Sequence, residues 1–303
     1  MGRDSRRGGP AARMRIAGTF SAALLALAAP AARATDTQWW IADTPGDYAK
    51  SESRGVVVGA DGALELGPRA AVTPAESLSV VWTVAALADG SVALAGDHGL
   101  IARWTEAGGV RPWVRLAAGQ VFALAADGDG LVAGTGPDGA IYRVSARGDT
   151  ALLARTGERY VWALASAGGG EWYAATGTRG RLYRVTRGAA QLVIDTDESN
   201  LVSLVPDGRG GAYFGGDSKG RVMHARDDGT VRTLFDASED EVRALALGAD
   251  GALYAAALSA SAVSGDEKDA ESPAPALSAV SGGRSTVYRI VPDSSVVPWW
   301  VAP

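Results

Sequence analysis

Short apolar runs recur along this chain at a nearly fixed distance. Val81-Trp82-Thr83-Val84-Ala85, Val121-Phe122-Ala123-Leu124-Ala125, Val161-Trp162-Ala163-Leu164-Ala165 and Leu201-Val202-Ser203-Leu204-Val205 begin 40 residues apart, and Val242-Arg243-Ala244-Leu245-Ala246 follows after 41. After each comes a glycine-rich turn and a second apolar stretch, as in Trp172-Tyr173-Ala174-Ala175-Thr176-Gly177 or Ala212-Tyr213-Phe214-Gly215-Gly216. A turn closing on Gly99, Gly139, Gly180 or Gly220 leads into a third stretch that alternates, such as Ala140-Ile141-Tyr142-Arg143-Val144, Arg181-Leu182-Tyr183-Arg184-Val185 or Thr286-Val287-Tyr288-Arg289-Ile290. Ala151-Leu152-Leu153-Ala154 and Val231-Arg232-Thr233-Leu234-Phe235 are fourth stretches.

Four strands per repeat, with turn signals at roughly 8–12-residue spacing, predict an all-β architecture. A lone four-stranded sheet cannot bury both faces, and radial stacking of copies solves this. The expected fold is therefore a β-propeller of about five four-stranded blades of ~40 residues, starting near 81, 121, 161, 201 and 242. The first strand, small and apolar, is expected innermost against the channel, and the Tyr-Arg strand further out with a solvated Arg. Helices are excluded by the missing 3.6-residue stripe and the interrupting glycines. A parallel β-helix would have shorter coils and would lack paired hairpin turns such as Asp89-Gly90 and Asp250-Gly251. The succession from Val161-Trp162-Ala163-Leu164-Ala165 to Arg181-Leu182-Tyr183-Arg184-Val185 resembles bacterial exported WD-repeat-like or NHL-like propeller repeats, over about Val81 to Ile290. The Gly-His and Trp-Asp pairs of true WD repeats are absent, so the resemblance implies architecture without that family's partners.

The ends read differently. Arg3, Arg6, Arg7, Arg13 and Arg15, the apolar run Ile16 to Ala29 and the triplet Ala32-Arg33-Ala34 predict a signal peptide over 1–34, cleaved after Ala34. The run falls short of the roughly 20 apolar residues that span a bilayer, so export to the periplasm or exterior without stable membrane insertion is expected. Residues 35–53, with Trp39, Trp40 and Tyr48, are read as a cap segment. Residues 54–76 are read as a half-blade, Ala63-Leu64-Glu65-Leu66 and Ala71-Val72-Thr73-Pro74 being its third and fourth strands, and Trp299-Trp300-Val301 as a last fourth strand. An unmatched half-blade predicts an incomplete or truncated ring in the propeller region 54–303. The stretch 259–284, rich in Ser, Ala, Pro and charge, is expected to be a disordered insertion.

Charge and chemistry narrow the function classes. Taking the leader's six arginines and one aspartate from totals of 29 basic and 34 acidic residues leaves 23 and 33, a net charge near −10. Such a surface repels phosphate backbones and argues against nucleic acid. With no Cys in the chain, thiol catalysis and disulfides are excluded. Of two histidines, His224 takes the slot of Arg143 and Arg184 and is read as a surface variant, while His98 follows Asp97 in a turn. The two-to-three and four-to-one connections should share one face, giving the ligand-face candidates Asp97, His98, Asp138, Arg179, Asp217, Glu158, Asp197, Glu198 and Asp240. No catalytic or metal residue is assigned, and no cofactor is expected, calcium on this carboxylate-rich face being the one alternative. Gly134-Thr135-Gly136-Pro137-Asp138-Gly139 has the letters of a dinucleotide loop but joins strand to strand. The expected function is a non-enzymatic scaffold with a protein or peptide partner on one face. A lactonase-like hydrolase or lyase, using a metal or an acid–base pair, is the alternative; no signature of a quinone-dependent dehydrogenase is seen.

Overall fold

The computed structural model describes residues 41–42, 44–48, 50–59, 61–68, 71–259 and 284–302. The expected signal peptide lies outside these residues, as do most of the expected insertion (260–283) and part of the cap segment. The chain divides into two compact units, Met1–Ala71 and Val72–Pro303. No helix among the described residues is long and apolar enough to cross a membrane.

In the first unit a 3-10 turn at Pro45–Tyr48 precedes a two-stranded hairpin, β1 (Val56–Val58) and β2 (Leu64–Leu66). This corrects the half-blade reading: Leu64–Leu66 pairs with Val56–Val58 and not with Ala71–Pro74, which is not a strand. The hairpin turn Gly59-Ala60-Asp61-Gly62-Ala63-Leu64 recurs letter for letter at Gly248-Ala249-Asp250-Gly251-Ala252-Leu253. Both copies close on Gly59 N to Ala63 O at 2.8 Å and Gly248 N to Ala252 O at 2.8 Å, with an Asp carboxylate accepting from the residue two further on. Asp61 and Asp250 thus build the same Asx-type turn.

The second unit holds five four-stranded antiparallel sheets, each in sequence order from the inner to the outer strand. Blade 1 comprises β3 (Val81–Ala86), β4 (Val92–Gly96), β5 (Leu100–Thr105) and β6 (Gly109–Arg115). Blade 2 comprises β7 (Gln120–Asp127), β8 (Gly130–Gly136), β9 (Ala140–Val144) and β10 (Thr150–Arg155). Blade 3 comprises β11 (Tyr160–Gly168), β12 (Glu171–Gly177), β13 (Arg181–Thr186) and β14 (Ala189–Asp195). Blade 4 comprises β15 (Leu201–Pro206), β16 (Ala212–Gly216), β17 (Arg221–Ala225) and β18 (Val231–Asp236). Blade 5 comprises β19 (Glu241–Leu247), β20 (Leu253–Leu258), β21 (Ser285–Val291) and β22 (Ser295–Val301). The five inner strands begin within one residue of the expected positions, and Trp299-Trp300-Val301 lies in a fourth strand. The chain has the β-propeller fold.

Sheets stack through side chains that alternate off each strand. Ala93, Ala95 and Ile101 of blade 1 join Val121, Leu131, Ala133, Tyr142 and Val144 of blade 2 in one buried cluster. Equivalent clusters join blade 2 to 3, 3 to 4 and 4 to 5. The inner-strand residues Val121, Val161, Leu201 and Val242 are all fully buried at these junctions. Each such burial contributes about 1.5–3 kcal/mol. Inner strands pack in succession, β3 on β7, β7 on β11, β11 on β15 and β15 on β19, and among the described residues no packing of similar extent joins β19 back to β3.

Third-strand arginines are tied to acids at or beside the turn between the first two strands rather than simply solvated. Arg143 meets Asp127 at 2.7 Å, Arg184 meets Glu171 at 2.6 Å, Arg289 meets Asp250 at 2.7 Å, and Arg103 pairs with Asp89. His224 keeps this slot and corrects the surface-variant reading. It is 8% exposed, its Nε2 lies 2.8 Å from Asp207 Oδ2, and its ring stacks on Tyr213 at 4.3 Å. A shorter, flatter side chain than Arg can still reach the acid only by lying inside the blade.

Candidate functional site

The pairing between first and second strands slips by one residue at the same place in every blade. The register shifts fall between Val81 and Thr83, Val121 and Ala123, Val161 and Ala163, Leu201 and Ser203, and Val242 and Ala244. The extra residue is Trp82, Phe122, Trp162, Val202 or Arg243. A β-bulge leaves its extra residue out of the ladder and re-aims its side chain. All five line one cleft of about 310 Å³, together with Asn200 and Asp217.

The three aromatic bulge side chains lean on residues at or just before the start of the next inner strand. Trp82 Nε1 donates to Gln120 Oε1 at 2.8 Å, and Trp162 Nε1 donates to Asn200 Oδ1 at 3.0 Å. Asn200 is itself pinned, its backbone N and Nδ2 donating to the two Asp217 carboxylate oxygens at 2.9 and 2.6 Å. Phe122 sits between the indoles, its centroid 5.6 Å from Trp82 and 4.6 Å from Trp162, with Tyr160 edge-on at 5.6 Å. Glycine makes the room: a Cβ on Gly177 would lie 2.5 Å from Trp162 Nε1, and one on Gly136 would lie 2.9 Å from the Phe122 ring. With both indole N–H groups engaged, what the wall offers is aromatic surface, and Trp82 is 54% exposed. Asp217 and Arg243 add one charge of each sign, Arg243 pairing with Glu241 at 3.0 Å.

Of the expected ligand-face residues, only Asp217 lines this cleft. Glu158 and Glu198, expected among the ligand-face residues, are 5% and 3% exposed and serve as clamps. Glu158 accepts from Arg179 Nε and Nη2 at 3.1 and 2.9 Å, Arg181 Nη1 at 3.1 Å and the Tyr183 hydroxyl at 2.8 Å. Burial pushes the Glu158 carboxyl up, but hydrogen bonds from Tyr183, Arg179 and Arg181 outweigh it and hold the group below the usual carboxylate range. Glu198 Oε2 accepts from Ser218 N, Ser218 Oγ and Lys219 N at 2.9, 2.9 and 2.8 Å, while its Oε1 is buried without a hydrogen-bond partner. Glu239, a third copy of the slot, accepts from Thr286 Oγ1 at 2.7 Å and the Tyr288 hydroxyl at 2.8 Å. Burial raises Glu239 too, and bonds from Thr286, Tyr288 and Ser238 outweigh it, leaving it lowered.

The other candidates scatter. Asp138 pairs with Arg155, and Asp197 pairs with Arg221 at 2.6 and 3.1 Å. Asp240 is exposed, its residue's carbonyl accepting from Gly220 N at 2.7 Å. Asp97 Oδ2 lies 3.0 Å from His98 Nδ1, and the His98 side chain is 76% exposed at a φ of 55°. Burial raises the Asp97 carboxyl, but hydrogen bonding from Ser79 and the charge of His98 leave it lowered. Among the described residues no group of three or more His, Asp or Glu is placed to hold a metal ion. The aromatic cleft was missed in sequence, though its signal was present: Trp82, Phe122 and Trp162 recur at the second position of each run.

No protein-family model matches the chain, and no curated protein matches it in sequence. Solved structures do resemble it. Virginiamycin B lyase from Staphylococcus aureus is 13% identical, with a TM-score of 0.58 over 82% of this chain and 76% of that one. A streptogramin B lyase is 13% identical, with a TM-score of 0.51 over 66% of this chain and 68% of that one. A chain of a nidogen/laminin complex is 17% identical, with a TM-score of 0.47 over 55% and 70%. At these identities the likeness is one of fold alone.

Proposed function

We propose that this chain is an exported, non-enzymatic binding propeller, and that its bulge-lined cleft receives an apolar or aromatic side chain of a peptide or protein partner. The observation that carries this reading is the convergence of Trp82, Phe122 and Trp162 on one cleft, with both indole nitrogens already engaged. Aromatic anchors in a concave, pre-formed site supply most of the energy of many interfaces. The rim, with Asn200, Asp217 and Arg243, carries balanced charge and supplies hydrogen bonding around such an anchor. A lyase, as two of the similar structures are, would need an acid–base pair at the substrate, whereas this cleft's wall is aromatic and the Asp97–His98 pair does not line it.

The test is selection of a random peptide library on the purified full chain, with Trp82→Ala as the counter-screen. Enriched peptides should share a Trp, Phe, Tyr or Leu anchor and bind Trp82→Ala or Phe122→Ala at least about tenfold more weakly, in line with loss of an aromatic anchor. Peptides that bind the variants equally well, or no enrichment at all, would overturn the proposal. Export is checked by mass spectrometry of the protein recovered from its native host, where a mature N-terminus at Thr35 is expected.

A further inference from the structure

Four blade junctions repeat one interface, and its two halves are found unmatched at the ends of the blade row. On the downstream side of blades 1 to 4 stand Ala93, Ala95 and Ile101; Val132, Gly134 and Ile141; Tyr173, Ala175 and Leu182; and Tyr213, Gly215 and Val222, every one of them buried. Pairing registers place Tyr254, Ala256 and Val287 in these positions on blade 5, where all three are only half-buried. Ala244 of the same blade is exposed, while its counterparts Ala123 and Ser203 are each 4% exposed. On the upstream side, Val81 stands where Val121, Val161, Leu201 and Val242 are 0% exposed, yet it is 42% exposed, and Val84 is 59% exposed. Leu78 and Val110 cluster with Leu94, Leu100 and Ala102 on the outer part of that blade, and among the described residues no such cluster includes Val81 or Val84.

We propose that these two faces dock on one another between two copies of this chain, blade 5 of one copy taking the place of a preceding blade against β3 of the other. The occupant follows from continuity with the established interface. Each open face is one half of a junction that the molecule already builds four times, so the partner that fits blade 5 is another blade 1. The contact at its centre is Ala256 against Val81, the counterpart of Ala95 against Val121 and Ala175 against Leu201. Where the downstream residue is Gly134 or Gly215, the inner-strand valine comes so close that an added Cβ would sit 2.5 or 2.7 Å from Val161 or Val242. The contact is heterologous, because different patches meet, so it produces a closed ring when both junctions form and a ladder when they do not.

The absence of cysteine makes the test direct. In the full chain, Val81→Cys with Ala256→Cys under mild oxidation should yield disulfide-linked dimers or a ladder on non-reducing gels, and neither single variant should give that product. Unmodified protein should gain mass with concentration in sedimentation equilibrium. Val81→Glu, at a position exposed in the single chain, should keep its circular dichroism and weaken association at least about 100-fold, as expected for burying a charge in an apolar contact. A monomeric mass at every concentration would overturn the proposal, whether the two introduced thiols fail to link, because the chain's own segments cover the faces, or link within one chain because the ring closes on itself.

Discussion

Blades 3 and 4 put the same clamp to different use. In both, a glutamate three residues before the buried inner-strand residue reaches the turn between the second and third strands. In blade 3, Glu158 meets two arginines and a tyrosine, so that both oxygens of its carboxylate are engaged. In blade 4, Met223 replaces the tyrosine, and Glu198 is left with backbone and hydroxyl donors on one oxygen and none on the other. Gly216 gives Glu198 its space, since a Cβ there would lie 2.4 Å from the carboxylate carbon. The backbone slot is constant, but blade 4 lacks the tyrosine and its Arg221 pairs with Asp197, so the buried carboxylate is satisfied at one oxygen only. An unmet acceptor in a dry site carries most of its desolvation cost, so blade 4 should be the weaker of the two.

Breaking the stronger clamp gives the largest expected effect. Glu158→Ala leaves the Tyr183 hydroxyl without its acceptor and removes one partner each from Arg179 and Arg181, of which Arg181 keeps Asp195; it should destabilise the protein by about 1.5–3 kcal/mol, read as a lowered urea midpoint, and Glu198→Ala should cost less. Acid comes next. Glu158 and Glu239 have folded-state pKa values below those of the unfolded chain, so their contribution is present above the ordinary carboxylate range, near 4.3, and is lost as pH falls through their lowered values. Stability measured against pH should therefore drop steeply on the acid side, and Glu158→Gln should flatten that limb. Tyr183→Phe, which leaves Glu158 Oε1 with only its arginines, should cost about 1–2 kcal/mol. Met223→Tyr sharpens the comparison from the other side: a hydroxyl delivered to Glu198 Oε1 should stabilise by about 0.5–1.5 kcal/mol, read as a raised urea midpoint.

The strands were legible because their apolar runs and glycine turns are local signals, and a 40-residue period makes each one confirm the next. The hairpin at Val56–Leu66 departs from the half-blade reading, and the local signal for it is the hexapeptide Gly59–Leu64, which matches Gly248–Leu253 at the turn between the first two strands of blade 5. Acidic linkers look wet in a sequence, and nothing in the letters of Glu158 says that it faces inward; only its recurrence as Glu198 and Glu239 at one repeat position hints at a structural duty. The cleft was harder still. Alternation along a regular strand assigns every second residue to one face, and a bulge breaks that rule by a backbone shift that leaves the apolar pattern unchanged. The sequence places Trp82, Phe122 and Trp162 in the innermost strand, but the bulge that gathers their side chains on one cleft is not written in that pattern.

That backbone shift also bears on how such a molecule can change. A bulge residue stands outside the hydrogen-bonded ladder, and none of the five belongs to the buried clusters between sheets, so replacing one removes its own contacts to the next inner strand and leaves the packed junctions in place. The five bulge positions hold Trp, Phe, Trp, Val and Arg, four residue types on one repeated backbone. The lining of the cleft can thus be rewritten one blade at a time, each substitution altering one part of its wall while the frame that displays it stays folded.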